Sequence, residues 1–138
     1  SVHEDPAAGL ISSYGLKDNI HLLGFSSDIH SFYSFIDVVC FPSYYNAPGR
    51  PVFEGAWFGK PSILAVTDPK PDTFIPGVTG LQVTPGDVGA IVEAIKRFYL
   101  QEDLKTTLGT GALELAKENF DSKKNATAML EIYREMLA

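Results

Sequence analysis

The sequence predicts an α/β domain, a parallel sheet of buried strands flanked by helices. Two short apolar runs, residues 38–41 and 63–66, stand on either side of a stretch that begins Arg50-Pro51 and ends at Gly59. Continuous apolar runs of that length suit strands buried on both faces, as central parallel strands are. The stretch between them has a helix start and a helix stop. Strands alternate with helices over the first two thirds of the chain, and helices alone fill the end, which is the pattern of a Rossmann-like layer fold.

Each element has a local reason. Residues 7–14 read as the last turns of a helix, with Gly15 as its C-terminal stop. Residues 20–23 (Ile-His-Leu-Leu) are expected to form the first strand, left through Gly24. Ser27 is placed to cap a short helix that carries Ile29, Phe32 and Phe35 on one face. Residues 38–41 and 63–66 are the buried strands, with the helix from Arg50 or Pro51 between them. Proline suits the first helical turn because its missing N–H has no intrahelical partner there. Turn clusters at 67–72 and 76–80 lead into a short strand at 81–83. Asp87 caps a helix with Val88, Ile91, Val92, Ile95 and Phe98 at the helical period. The next helix carries Leu104, Leu108, Ala112, Leu115 and Ala116, with Gly109 and Gly111 each lowering its intrinsic stability by roughly 1 kcal/mol relative to Ala. Asp121 or Ser122 caps the last helix, whose stripe is Met129, Leu130, Tyr133, Met136 and Leu137.

The chain of 138 residues is read as a single domain, 1–138. A domain of this size buries roughly 70% of its unfolded surface. Apolar content of 45% and charged content of 20% are those of a globular chain. A formal charge of −6 argues against nucleic acid as a partner, which needs a basic face. It leaves an anionic small ligand open, because backbone N–H groups at a helix start can hold phosphate. The lone Cys40 lies in an apolar strand and reads as buried, and there is no Cys/His metal pattern. His3, His21 and His30 are scattered, Lys60 reads as solvated, and Asp72 reads as a loop residue or helix cap.

The chemistry points to the loop after the first central strand, residues 42–49. In open parallel sheets ligands bind outside the carboxyl ends of the strands. Ser43, Tyr44, Tyr45 and Asn46 can hydrogen-bond, while Ala47, Pro48 and Gly49 let a ligand approach the backbone closely. The helix after them turns free N–H groups toward the loop. Glu54, one turn in, would repel a phosphate but can accept hydrogen bonds from sugar hydroxyls. The combination suits a ligand with both phosphate and sugar; a plain strand–helix loop with a solvated glutamate reads equally well.

The ordered set Asp37-Val-Val-Cys-Phe-Pro42-Ser43, Asn46-Ala-Pro-Gly-Arg-Pro-Val-Phe-Glu54-Gly-Ala-Trp-Phe-Gly-Lys-Pro61, Gly77-Val-Thr-Gly-Leu81 and Pro85-Gly-Asp87 resembles the carboxyl-terminal domain of retaining family 4 (group 1) glycosyltransferases, of GT-B fold. Leu23-Gly24-Phe25 upstream and Glu118-Asn-Phe-Asp121 at the end also fit, so the resemblance spans the chain from about Leu10. It implies that Glu54 accepts hydrogen bonds from the ribose of a nucleotide-diphosphate sugar. It implies further that Ala47, Pro48 and Gly49 contact the donor sugar, that the N–H groups of Arg50, Val52 and Phe53 approach the phosphates, and that Gly24 and Phe25 lie by the base. Such enzymes transfer a hexose with retention to a glycan or lipid-linked acceptor, without a metal or other cofactor. Many work in the cytoplasm at the inner face of a membrane.

Two departures qualify that implication. Asn46 stands where the family's first glutamate stands, which removes a negative charge that could stabilise positive charge developing on the sugar. The family's upstream basic pair and its amino-terminal acceptor domain have no counterpart here, so the chain is expected to be a fragment, inactive by itself. An inactive glycosyltransferase-like binding or structural module is the alternative reading. An unrelated phosphate-binding or receiver domain is a third, and Asp37, at the start rather than the end of its strand, suits a receiver poorly.

Overall fold

The computed structural model describes residues 6–137. The chain forms two compact units, Ser1–Phe32 and Tyr33–Ala138.

In the first unit, helix α1 (Pro6–Ser13) ends at Gly15, which has φ 66°. The Leu16 N–H reaches the Ile11 carbonyl at 2.9 Å and the Gly15 N–H reaches Ser12 at 3.1 Å. These are the paired bonds of a Schellman closure, and glycine takes the left-handed position without a Cβ clash. The expected strand at 20–23 does not form. Ile20, Leu22 and Leu23 are exposed, and residues 20–26 have no regular secondary structure. Alternating apolar residues make a strand only when a neighbour takes up the backbone N–H and C=O groups. Helix α2 (Ile29–Phe35) follows, its residues from Tyr33 on belonging to the second unit, and its cap is Asp28 rather than Ser27: Asp28 Oδ1 accepts from the Ser31 N–H at 3.0 Å. Ile29, Phe32 and Phe35 are exposed, and the residue α2 buries is Tyr33.

The second unit is built on a parallel sheet, β1 (Val39–Phe41), β2 (Ser62–Ala65) and β3 (Gly80–Val83), in that spatial order. Helix α3 (Arg50–Trp57) joins β1 to β2; α4 (Val88–Leu100), α5 (Glu102–Asn119) and α6 (Ser122–Leu137) follow β3. This is the expected α/β architecture. The period of two sorts β2 between two cores. Ile63 and Ala65 meet Leu81, Val83, Ala94, Phe98 and Leu108 on one face. Leu64 and Val66 meet Val52 and Phe74 on the other, with Phe41 at its margin.

Helix α3 stops as expected. Gly59, at φ 65°, receives the chain, and the Gly59 and Lys60 N–H groups close on the Ala56 and Gly55 carbonyls. Helices α3 and α5 pack through small residues, Ala56 against Ala112 and Ala116. The two glycines of α5 each allow a neighbouring backbone to come close. A Cβ on Gly109 would run into the Gly59 carbonyl, and one on Gly111 into the Val78 carbonyl. Their propensity cost is offset by an approach no larger residue permits.

Two surface features, Cys40 and the outer face of α4, differ from expectation, and a third is the exposed stripe of α6. Cys40 is exposed, because β1 is the sheet's edge and α4 packs over β2 and β3. It sits with Val38, Ile63, Ile95 and Phe98 around an apolar cavity of about 180 Å³, and although the residue is exposed, partial desolvation beside these apolar side chains pushes the thiol's pKa up. Helix α4, capped by Asp87 Oδ1 on the Ala90 N–H at 2.9 Å, buries Ala94 and Phe98 but leaves Val88, Val92 and Ile95 exposed. Helix α6 is capped by Asp121, whose Oδ1 accepts from the Lys123 and Lys124 N–H groups. None of its described side chains is buried, and its stripe of Met129, Leu130, Tyr133, Met136 and Leu137 faces solvent.

Candidate functional site

Loop 42–49 leaves the carboxyl end of β1, the edge at which open parallel sheets bind their ligands. It is folded on itself. The Ser43 N–H bonds the Phe41 carbonyl at 3.0 Å, Ser43 Oγ accepts from the Tyr45 N–H at 3.0 Å, and the Ala47 N–H bonds the Tyr45 carbonyl at 2.8 Å. The Tyr44 and Tyr45 rings are largely solvent-exposed.

Asn46 ties this loop to the end of the next strand. Its Oδ1 accepts from the Thr67 N–H at 2.8 Å. From the other side, Gln82 of β3 donates to the Val66 and Thr67 carbonyls at 2.8 and 3.2 Å. The carboxyl ends of all three strands are thus linked through the peptide groups around Thr67. In this arrangement one lone pair of the Asn46 carbonyl has a backbone partner already, and what the side chain can offer a ligand is the second lone pair and its neutral NH₂ group.

Gly49 is the N-cap of α3, with φ −90° and ψ 165°, and no side chain caps the helix. A Cβ here would press on the Phe41 ring, so only glycine lets the loop pass so close to the end of β1. The free N–H groups of this helix start are fewer than its sequence suggests. Pro51 has none, and the Val52 N–H is bonded to the Gly49 carbonyl at 3.0 Å while the Val52 side chain is buried. Arg50 supplies the first-turn cation, with its side chain 89% exposed.

The helical repeat of α3 divides its residues. Val52, Gly55 and Ala56 face the core, whereas Arg50, Phe53, Glu54 and Trp57, spaced i, i+3, i+4 and i+7, face outward. That outward stripe forms one wall of a cavity of about 830 Å³, closed by Phe120, Asp121, Ser122 and Lys123 at the α5–α6 junction. Phe53 and Phe120 meet edge to face, ring centroids 4.8 Å apart. Both oxygens of Glu54 are engaged. Oε1 accepts from Arg50 Nη2 at 2.7 Å, and Oε2 accepts from the Tyr33 hydroxyl at 2.9 Å. Tyr33 is 3% exposed and stacks on Phe58, centroids 5.2 Å apart. Its phenol is pushed up to about 12, by burial first and then by the hydrogen bond to Glu54 and that carboxylate's charge.

The structure therefore brings Arg50 and Glu54 together in one cavity. Ala47, Pro48 and Gly49 lie in the neighbouring loop and do not line it. Gly24 and Phe25 belong to the first unit, Gly24 with φ 67° and Phe25 almost fully exposed. His21, His30 and Asp72 are exposed, and His3 lies outside the described residues. Among the described residues no group of three or more His, Cys, Asp or Glu could hold a metal ion, and no helix is long and apolar enough to cross a membrane. Sequence reasoning missed Tyr33. The signal available was a hydroxyl-bearing ring inside the apolar helix just ahead of Asp37.

Residues 2–114 match the family profile "Glycosyl transferases group 1". The chain is 30% identical over 105 residues to the capsular polysaccharide biosynthesis glycosyltransferase CapM of Staphylococcus aureus, a match covering 76% of this chain and 28% of CapM. Among solved structures it is similar to sucrose-phosphate synthase from Thermosynechococcus elongatus, with TM-score 0.87 and 30% identity over 95% of this chain and 33% of that one. It is also similar to Anabaena Alr3699/HepE in complex with UDP-glucose, with TM-score 0.85 and 25% identity over 94% of this chain and 36% of that one. The chain thus spans about a third of the length of the relatives it matches.

Proposed function

The chain belongs to the group 1 glycosyl transferases, and on that premise we propose that it forms the donor-binding part of a retaining enzyme. The enzyme moves a hexose from a nucleotide-diphosphate sugar to a glycan or lipid-linked acceptor, in the cytoplasm at the inner face of a membrane. The acceptor is held by a separate amino-terminal domain, and the reaction uses no metal or other cofactor. One observation carries the reading: Glu54 presents an oriented carboxylate in a cavity beside the loop at the sheet's carboxyl edge. A carboxylate there accepts hydrogen bonds from a ribose diol and is a poor partner for a phosphate. The anionic end of the donor falls to Arg50, and its sugar to the backbone at Ala47, Pro48 and Gly49. The glucose of the HepE complex and the capsular role of CapM support a hexose donor and a glycan-type acceptor.

Calorimetry of the full-length protein carrying this domain, with UDP, ADP, GDP and their glucose conjugates, tests the reading. One nucleotide series should bind, and Glu54→Ala should weaken it by roughly tenfold or more, the loss of a hydrogen bond to a charged group. Absence of binding across the panel, or an unaltered affinity in Glu54→Ala, sinks it.

A second reading, a binding module without catalysis, is favoured by Asn46. Its carbonyl is bonded to the Thr67 N–H, and its amide carries no charge to set against a developing oxocarbenium ion. Turnover by the unaltered full-length protein excludes this reading. No turnover in the parent and a large gain in Asn46→Glu would establish it.

A further inference from the structure

We propose that Tyr33 is a positioning residue of the donor site: its hydroxyl holds Glu54 Oε2 in place and leaves Oε1 as the oxygen that a ribose hydroxyl meets. The inference rests on the donor-site reading above and assigns the residue that orients its carboxylate.

The two oxygens of Glu54 are held in different ways. Oε2 takes its hydrogen bond from a buried phenol at 2.9 Å. That ring is packed face to face on Phe58, so swinging the hydroxyl away would mean losing the stack and opening the core. A further acceptor among the described residues, the Pro51 carbonyl, stands at 3.5 Å, the outer limit of a hydrogen bond. The single phenolic proton therefore goes to Glu54.

Oε1 takes its bond from Arg50 at 2.7 Å, and the Arg50 side chain is 89% exposed. Water competes freely for such a guanidinium, and exposed pairs one helical turn apart are weak. Arg50 is also the basic residue of the cavity's α3 wall. A ligand hydroxyl can take over Oε1, and the displaced guanidinium is then free to meet the ligand's phosphates. One oxygen is fixed by the fold and the other exchanges. Without the Tyr33 hydroxyl both oxygens would turn about the terminal bond of Glu54, and the ligand would have to order them.

The test is the affinity of the full-length protein for UDP, ADP and GDP against their 2′-deoxy and 3′-deoxy forms, in parent and Tyr33→Phe. Phenylalanine keeps the stack and removes only the hydroxyl. The parent should prefer the ribose form of the nucleotide it binds. Tyr33→Phe should lose roughly three- to tenfold of its affinity for that form and under about twofold for the deoxy form that lacks the Glu54 contact. The ratio of the two does not depend on how much of the variant is folded. Should Tyr33→Phe fail to fold, Phe58→Leu, which loosens the ring while keeping the hydroxyl, should narrow the same ratio. A parent that prefers ribose together with variants that keep the full preference overturns the role of Tyr33 alone. A parent that binds no nucleotide overturns the donor-site reading and this inference with it.

Discussion

Replacing Gly49 with alanine is the sharpest test of how the loop is seated. Gly49 has φ −90°, a conformation that alanine adopts freely, so any penalty comes from space and not from the backbone. The new Cβ would meet three atoms of the Phe41 ring, with Cε2 at 2.6 Å and Cε1 at 2.9 Å. Contacts below 3 Å require something to move. The ring cannot retreat easily, because behind it lie Val52, Leu64, Val66 and Phe74, each 2% exposed or less. Overpacking of this kind costs about 1–3 kcal/mol. The loss of a glycine from the unfolded chain offsets about 0.4–1 kcal/mol of that. The net expectation is a destabilisation of about 1–2 kcal/mol. It should appear in urea unfolding as a lower midpoint with an unchanged slope. The displaced loop should also weaken nucleotide binding in the full-length protein. Gly9→Ala in α1 is the control: its Cβ would meet nothing within 4 Å, and it should stabilise by up to about 1 kcal/mol. A Gly49→Ala protein as stable as its parent would refute the packing of Phe41 under the loop.

Three further outcomes are expected. Arg50→Gln should change stability by under about 0.5 kcal/mol, since the pair is exposed and has the cation on the less favourable, N-terminal side; a larger loss in a urea titration would mean that Arg50 holds Glu54 structurally. Asn46→Ala should raise the hydrogen-exchange rate of the Thr67 amide several-fold, the loss of roughly 1 kcal/mol of hydrogen bonding, while Asn46→Asp, which keeps the acceptor, should not. The phenol of Tyr33 is raised from 10.0 to about 12 in the fold, which favours its neutral form. Its contribution to stability is fully present below about pH 10 and is lost as pH rises through about 12, so the melting temperature should fall more steeply across that window in the parent than in Tyr33→Phe.

The sequence by itself determined the architecture and pointed to the loop after β1 and to Glu54. Strands form at the two apolar runs, shifted to 39–41 and 62–65, and the second is covered on both faces as a continuous apolar run requires. Gly15, Gly59 and Asp87 end or start helices because their chemistry acts within one turn of where they stand. Glu54 falls on the outer stripe of α3 because the helical repeat leaves no other place beside Val52, Gly55 and Ala56. These are local causes, and local causes are written in the order of residues.

Tertiary structure decided what depends on distant partners. Residues 20–23 have the composition of a strand but no described ladder, and Cys40 has that of a core residue but lies at the sheet's edge. Gly109 and Gly111 look like weaknesses in α5 until the Gly59 and Val78 carbonyls are seen against them. The bonds that set the site, Tyr33 to Glu54 and Asn46 to Thr67, each join residues 21 positions apart. Neither residue of a pair signals the other in the chain, because a hydrogen bond needs only that the fold bring a donor within about 3 Å of an acceptor. Sequence named the carboxylate; the packing of a tyrosine from α2 decided which of its oxygens meets a buried phenol and which an exposed guanidinium.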